Sequence, residues 1–126
     1  MRYACLVYFD PEKVFNQSRS SASLRPRAEV EAIIRDSEPY NDELRASGHM
    51  VTAAALQMPD QAMTVRMRDG KMSTTDGPFA ETKEQLGGYY LIEARDLNEA
   101  IQIAGRIPSA KLGCIEVRPV REHPEV

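Results

Sequence analysis

Apolar and polar residues follow two rhythms along this chain, and the switches between them mark its elements. Tyr3 to Phe9 is apolar on both sides and rich in β-formers, as a central strand requires. From Phe9 to Leu24 the chain turns polar around Asn16-Gln17-Ser18-Arg19-Ser20-Ser21, which reads as a long surface loop or as a lid over a site. Pro26 suits a first helical turn, and Val30, Ile33, Ile34, Tyr40 and Leu44 then recur at helical spacing. Pro39 should kink or split that helix near Glu38, and Gly48 should cap it. Val51 to Leu56 reads as a short strand. Met63 to Arg68 alternates strictly, and Asp69-Gly70 is a hairpin turn that returns it along Lys71 to Thr75. A long strand follows from Gly88 to Ala94. Asp96 and Glu99 form a capping box for a helix striped by Leu97, Ala100, Ile101 and Ala104. Cys114 to Val120 is the last strand.

The order is βαββαβ with a hairpin, within one domain of residues 1–126. It predicts an α+β fold of the ferredoxin-like type, with an antiparallel sheet and both helices on one face. The side-chain alternation then sorts the strands. Met63, Val65 and Met67, with Tyr90, Ile92, Ala94, Ile115 and Val117, form the set expected under the helices. Thr64, Arg66, Arg68, Tyr89, Leu91, Glu93, Glu116 and Arg118 point the other way. That second face must meet water, a ligand or a partner. If covered, it cannot carry its arginines unneutralised. Two of them about 6 Å apart repel by roughly 3 kcal/mol at an effective dielectric near 20.

Composition narrows the classes. The chain has 126 residues, 42% hydrophobic and 28% charged, with a formal net charge of −3. A slightly acidic protein gains no bulk attraction to nucleic acid or to an anionic membrane. No apolar run reaches the roughly 18 residues of a membrane span. The N-terminal apolar run is too brief for a signal peptide, so the expected location is cytoplasmic. Cys5 and Cys114 lie at opposite ends in strand-like runs, where buried thiols are expected in place of a disulfide.

Candidate chemistry is sparse. Asp76, before Gly77-Pro78, is either a turn-setting carboxylate or a ligand contact. Phe79 is an anchor for its loop or a stacking surface. Glu81 and Lys83 are two residues apart and face the same way on an extended segment, so they can pair or meet a ligand. Gly87-Gly88 permits a close approach by a partner or ligand. His49 follows a helix end, where a cation is favourable, and competes as a proton carrier. His123 lies in the tail. Two isolated histidines give no metal-ligand spacing, and no cofactor fingerprint is present.

Thr64-Val65-Arg66 leading to Arg68-Asp69-Gly70, then Asp76-Gly77-Pro78-Phe79-Ala80-Glu81-Thr82-Lys83-Glu84, then Gly87-Gly88-Tyr89-Tyr90, and finally Ile115-Glu116-Val117-Arg118-Pro119-Val120, together resemble the YCII-related family and, within it, its DGPF branch. The likeness runs from Met1 to Val120. It implies a bacterial protein and a dimeric α+β barrel, two ferredoxin-like sheets facing each other with helices outside, often encoded near an extracytoplasmic-function sigma factor. Other members of the wider family resemble enzymes with a histidine–aspartate pair. Here Arg25-Pro26 is followed by Arg27 and Ala28, and Ile107 precedes Pro108, so both positions lack the acid–base side chains.

These readings lead to a small-molecule-binding homodimer with a polar cavity. Arg66, Arg118, Tyr89, Phe79 and Lys83 are its ligand-binding candidates for a small polar or anionic substrate. Asp76, His49 and Glu81 are the candidates for moving protons. The alternative is a non-catalytic dimeric accessory protein in a sigma-factor-linked pathway, meeting its partner through the Ser-rich loop or the outer helix surfaces.

Overall fold

A computed structural model describes residues 1–14 and 27–122. The Ser-rich segment, Pro26 and His123 lie outside the described residues. Four strands form one sheet: β1 (Arg2–Phe9), β2 (Met50–Ala55), β5 (Gln85–Glu93) and β6 (Gly113–Pro119), in the order β2-β5-β1-β6, every neighbour antiparallel. That is the strand order of the split βαβ arrangement. Three helices complete it: α1 (Pro11–Val14), α2 (Arg27–Ala46) and α3 (Leu97–Gly105). Two strands, β3 (Met63–Arg68) and β4 (Lys71–Asp76), make a separate hairpin that adds nothing to the four-stranded sheet.

The core lies between that sheet and the helices. Tyr3, Cys5, Val7 and Phe9 alternate inward from β1, and Tyr90 and Ile92 do so from β5. They meet Val30, Tyr40 and Leu44 of α2 and Ala100, Ile103 and Ala104 of α3. Two buried hydroxyls tie the layers together: Tyr90 donates to Asn41 Oδ1 at 2.6 Å, and Tyr40 to the Ile103 carbonyl at 2.7 Å. The Arg106 guanidinium covers the Tyr40 ring 5.1 Å from its centre. Burial pushes the Cys5 thiol up to about 11 and the Tyr40 phenol up to about 12.

Helix ends follow the local chemistry. Gly48, at φ +79°, closes α2 and lets the His49 N–H return to the Leu44 carbonyl at 3.0 Å. Asp96 Oδ1 caps α3 through the Glu99 N–H at 2.9 Å, while Glu99 reaches back one residue further than a capping box does, to the Arg95 N–H. Pro39 sits inside α2 without splitting it. Burial corrects both expected stripes in detail. Ile34, Leu97 and Ile101 are exposed, and Ile103 takes the core position.

The largest correction concerns the hairpin. Met63, Val65 and Met67 are not under the helices; they stand exposed on one side of the β3–β4 ribbon. Asp69 and Gly70, both at positive φ, form the expected two-residue turn. The alternation was a true strand signal, but alternation reports which residues share a face and not which body that face meets.

The double glycine also has an internal explanation. A β-bulge interrupts the β1–β5 register at Val7/Tyr8, and Gly87 is skipped there. A Cβ on Gly87 would overlap the Phe9 ring, and one on Gly88 would come within 2.9 Å of the Ala54 carbonyl oxygen. The chain's own core ring and neighbouring strand occupy the space in which a partner or ligand was expected.

Candidate functional site

The helix-free face of the sheet carries Ala4, Leu6 and Tyr8 down its middle, with Tyr89 opposite Leu6 and Leu91 opposite Ala4. Charges sit at its margins, already paired. Arg2 donates to Glu93 Oε1 at 2.9 Å, and the N-terminal ammonium lies 3.4 Å from Glu93 Oε2. The Arg2 hydrogen bond and the nearby ammonium hold the Glu93 carboxyl below its ordinary range. Arg118 Nη1 stands 4.0 Å from Glu116 Oε2. Of the polar residues expected on this face, Tyr89, Glu93, Glu116 and Arg118 are there, with the cations Arg2 and Arg118 neutralised by Glu93 and Glu116, while Arg66 rides on the hairpin.

At the end of this face, where Tyr8 meets Leu86, the segment between β4 and β5 folds back to form a cavity of about 760 Å³. Its walls come from Tyr8, Met58, Met63, Pro78, Phe79 and Leu86, with polar rims from Thr64, Gln57, Gln61, Thr82, Glu84 and Gln85. The volume falls within the range of small-molecule sites. No arginine or lysine lines it. Phe79 is 83% exposed, an aromatic ring held out over the cavity and not packed beneath its loop.

Gln85 builds this loop, and sequence reading missed it. Its side-chain amide donates to the Ala80 carbonyl at 3.1 Å, to the Thr82 carbonyl at 2.8 Å and to Thr82 Oγ1 at 3.1 Å. Thr82 Oγ1 in turn donates to the Glu84 carbonyl at 2.7 Å. Gly77, at φ +96°, turns the chain out of β4, and Thr64 Oγ1 donates to its carbonyl at 2.8 Å. The conspicuous order of this segment is therefore largely a folding instruction: a turn, an exposed ring, and a threonine–glutamine clasp.

Glu84 was not among the expected site residues. It rims the cavity and accepts a weak bond from Cys114 Sγ at 3.6 Å. Cys114 pairs with Tyr8 in the sheet, so the thiol, the carboxylate and the phenol lie at one corner. The thiol is exposed, not buried as its strand-like run suggested. Partial desolvation and the charges of Glu84 and Glu116 push it up, so it stays protonated at neutral pH and serves as a donor.

The other candidates scatter. Glu81 and Lys83 line a second, acidic cavity of about 800 Å³ with Asp10, Glu12 and Asp60. A third, of about 510 Å³, opens on the helix side beside Asn41 and Tyr90. Asp76 ends β4 opposite Met63, Arg66 pairs with Ser73 on the hairpin, and Arg118 lies on the edge strand. None of these three lines any of the three cavities. His49 is elsewhere again. Its Nδ1 lies 2.7 Å from Ser47 Oγ and its Nε2 3.4 Å from Glu99 Oε1, a link between the end of α2 and the start of α3. No cavity adjoins it among the three, and the carbonyl end of a helix is the wrong pole for stabilising an anion. Asp76, His49 and Glu81 therefore form no common site. Among the described residues no cluster of three metal-ligating side chains occurs, and no helix is long and apolar enough to cross a membrane.

The YCII-related domain profile matches residues 1–124, and the chain belongs to that family. An uncharacterized protein of Rhizobium meliloti (strain 1021) is 36% identical over 122 residues, covering 95% of this chain and 92% of its own. Among solved structures, 5-chloro-2-hydroxyhydroquinone dehydrochlorinase from Burkholderia phenoliruptrix AC1100, in complex with 2,5-dihydroxybenzoquinone, superposes with a TM-score of 0.48 at 14% identity, over 96% of this chain and 94% of that one. A likeness of that degree says nothing of this chain's chemistry.

Proposed function

We propose that this YCII-related protein is a cytoplasmic small-molecule-binding homodimer whose ligand occupies the cavity beneath Phe79. One observation carries the reading: the loop from Gly77 to Gln85 is clasped into shape by its own side chains yet leaves an aromatic ring over an apolar hollow. Such a clasp is not needed to connect two strands. The chemistry of the walls sets the ligand class. With Met58, Pro78, Phe79 and Leu86 on the sides, and with glutamine, threonine and Glu84 oxygens as polar partners, the hollow favours a small polar ligand with an apolar ring or chain and an O–H or N–H to donate. An anion gains nothing there, because no cation faces it; the anionic class expected from Arg66 and Arg118 belongs to other parts of the surface. If turnover accompanies binding, Glu84 is the candidate to accept the ligand's proton, with the Cys114 thiol as its neighbour. The dimer is supported by the helix-free sheet face, whose middle is apolar and whose marginal charges are paired within the chain.

Two probes that share a tolyl ring, one neutral and one anionic, test the ligand class. 4-Methylphenol is expected to raise the thermal midpoint and to move the backbone NMR signals of Thr82, Glu84 and Leu86, with the effect lost in Glu84→Gln. 4-Methylbenzoate is expected to do neither. Benzoate binding that disappears in Arg118→Ala would overturn the assignment and move the site to the edge of the open face.

A further inference from the structure

Beyond Met63 and Thr64 at its base, which border the proposed cavity, the hairpin takes no part in that site. Met63, Val65 and Met67 alternate along β3 and Met72 lies opposite Met67, so the four form one stripe, exposed by 57, 56, 59 and 68%. Together they present on the order of 400 Å² of apolar surface, the size at which a patch marks an interaction site. The reverse side carries Arg66, Arg68 and Lys71, which makes the ribbon amphipathic. An isolated two-stranded ribbon is marginal in water and needs a third strand or a covering surface. Three of the four stripe residues are methionines, whose unbranched side chains adapt to an uneven surface.

We propose that this apolar stripe docks on the helix-free sheet face of a second copy of the chain, reciprocally about a two-fold axis. The inference rests on the dimer proposed above and adds the element that makes the contact. Length fits. Six residues of β3 reach about 20 Å, and four strands spaced about 4.8 Å apart span about 14 Å, so the arm can cross the sheet. The chemistry fits as well. The middle of the open face is Ala4, Leu6, Tyr8, Tyr89 and Leu91, while its charges are paired at the margins, which leaves a neutral strip for methionines. Arg66, Arg68 and Lys71 face away from the stripe, so the docked arm keeps them in water and buries no lone cation. Area fits too. Two arms bury about 800 Å² of stripe and roughly as much on the faces they cover, a standard-size interface of about 1,600 Å². One chain supplies both halves of the contact, which is the condition for a closed two-fold pair and argues for a second copy over a foreign partner.

Sedimentation equilibrium tests the proposal. The unsubstituted protein is expected at the mass of two chains, and Val65→Glu/Met67→Glu/Met72→Glu at the mass of one, with its circular dichroism spectrum retained because the stripe lies outside the core. A two-chain mass in that triple variant would overturn the assignment, as would a one-chain mass for the unsubstituted protein. A second measurement does not depend on the triple variant folding. Met67→Cys and Leu6→Cys are made in separately tagged chains, each with Cys114→Ser, then mixed and oxidised. A disulfide between the two tags is expected; no bond, or one only between like tags, would overturn the arm-to-face contact. The two readings fail separately. A triple variant that remains paired and still binds 4-methylphenol sinks the arm and leaves the cavity standing. Arm-dependent pairing with no 4-methylphenol binding sustains the arm and sinks the cavity.

Discussion

β1 and β3 carry the same kind of alternation and meet opposite fates. In β1, Tyr3, Cys5, Val7 and Phe9 are buried against helices, with β5 and β6 bonded on either side. In β3, Met63, Val65 and Met67 alternate as cleanly but stand in the open on a two-stranded ribbon. Periodicity fixes the side of a strand on which a residue lies. What covers that side is decided by connections: β3 and β4 are closed by a two-residue turn and, among the described residues, pair only with each other, so their apolar side stands outside the helix-covered core. An apolar face built but left uncovered within the chain is the observation on which the proposed pairing with a second copy rests.

The sharpest way to test the contrast is to cut each face by the same chemistry. Ile92→Ala, at a fully buried position, is expected to cost about 2–5 kcal/mol through lost transfer energy and a residual cavity. Met67→Ala is expected to lie within about 0.5 kcal/mol in the separated chain. Urea unfolding at low protein concentration compares the two. Equal costs would mean that the hairpin packs on the core after all.

Gly87→Ala probes the bulge between β1 and β5, on the covered side of that contrast. Its methyl would overlap the Phe9 ring, and relief requires shifting a core side chain, so a loss of about 1–3 kcal/mol is expected. Restoration in Gly87→Ala/Phe9→Leu would confirm the ring as the cause, whereas a harmless single substitution would remove it.

Much of the fold was readable from residues alone, because its elements depend on local signals. Asp69-Gly70, Gly48, Asp96 and the 3.6-residue returns of Val30, Tyr40 and Leu44 each act within a few positions. The cavity was not readable. It depends on Gln85 reaching back five residues to the Ala80 carbonyl, and on Glu84 meeting Cys114 across thirty residues of chain. The candidates singled out by residue type, Asp76, His49 and Arg66, proved separate because type carries no information on distance. One signal was available: a glutamine and a threonine flanking a charged turn are the residues that can hold such a loop by side-chain hydrogen bonds.

A smaller effect comes from pH. The buried Cys5 thiol is pushed up to about 11 from an ordinary value of 9.0, so the folded state keeps its proton where the unfolded chain releases it. Its contribution is complete below pH 9 and is lost as the pH climbs toward 11, a decline on the order of 2 kcal/mol. Cys5→Ala should flatten that alkaline limb in urea titrations, at the cost of a small cavity. A limb of unchanged slope would assign the decline to other groups, Tyr40 first.

The central claim, that the exposed stripe and the helix-free sheet face are covered in solution by a second chain, is tested most directly by oxidative footprinting of the methionines over a dilution series. Met63, Met67 and Met72 are expected to be protected from peroxide at high protein concentration and to become reactive together as the pair dissociates, while Met1 reacts throughout. Full reactivity of the three at every concentration would contradict the account.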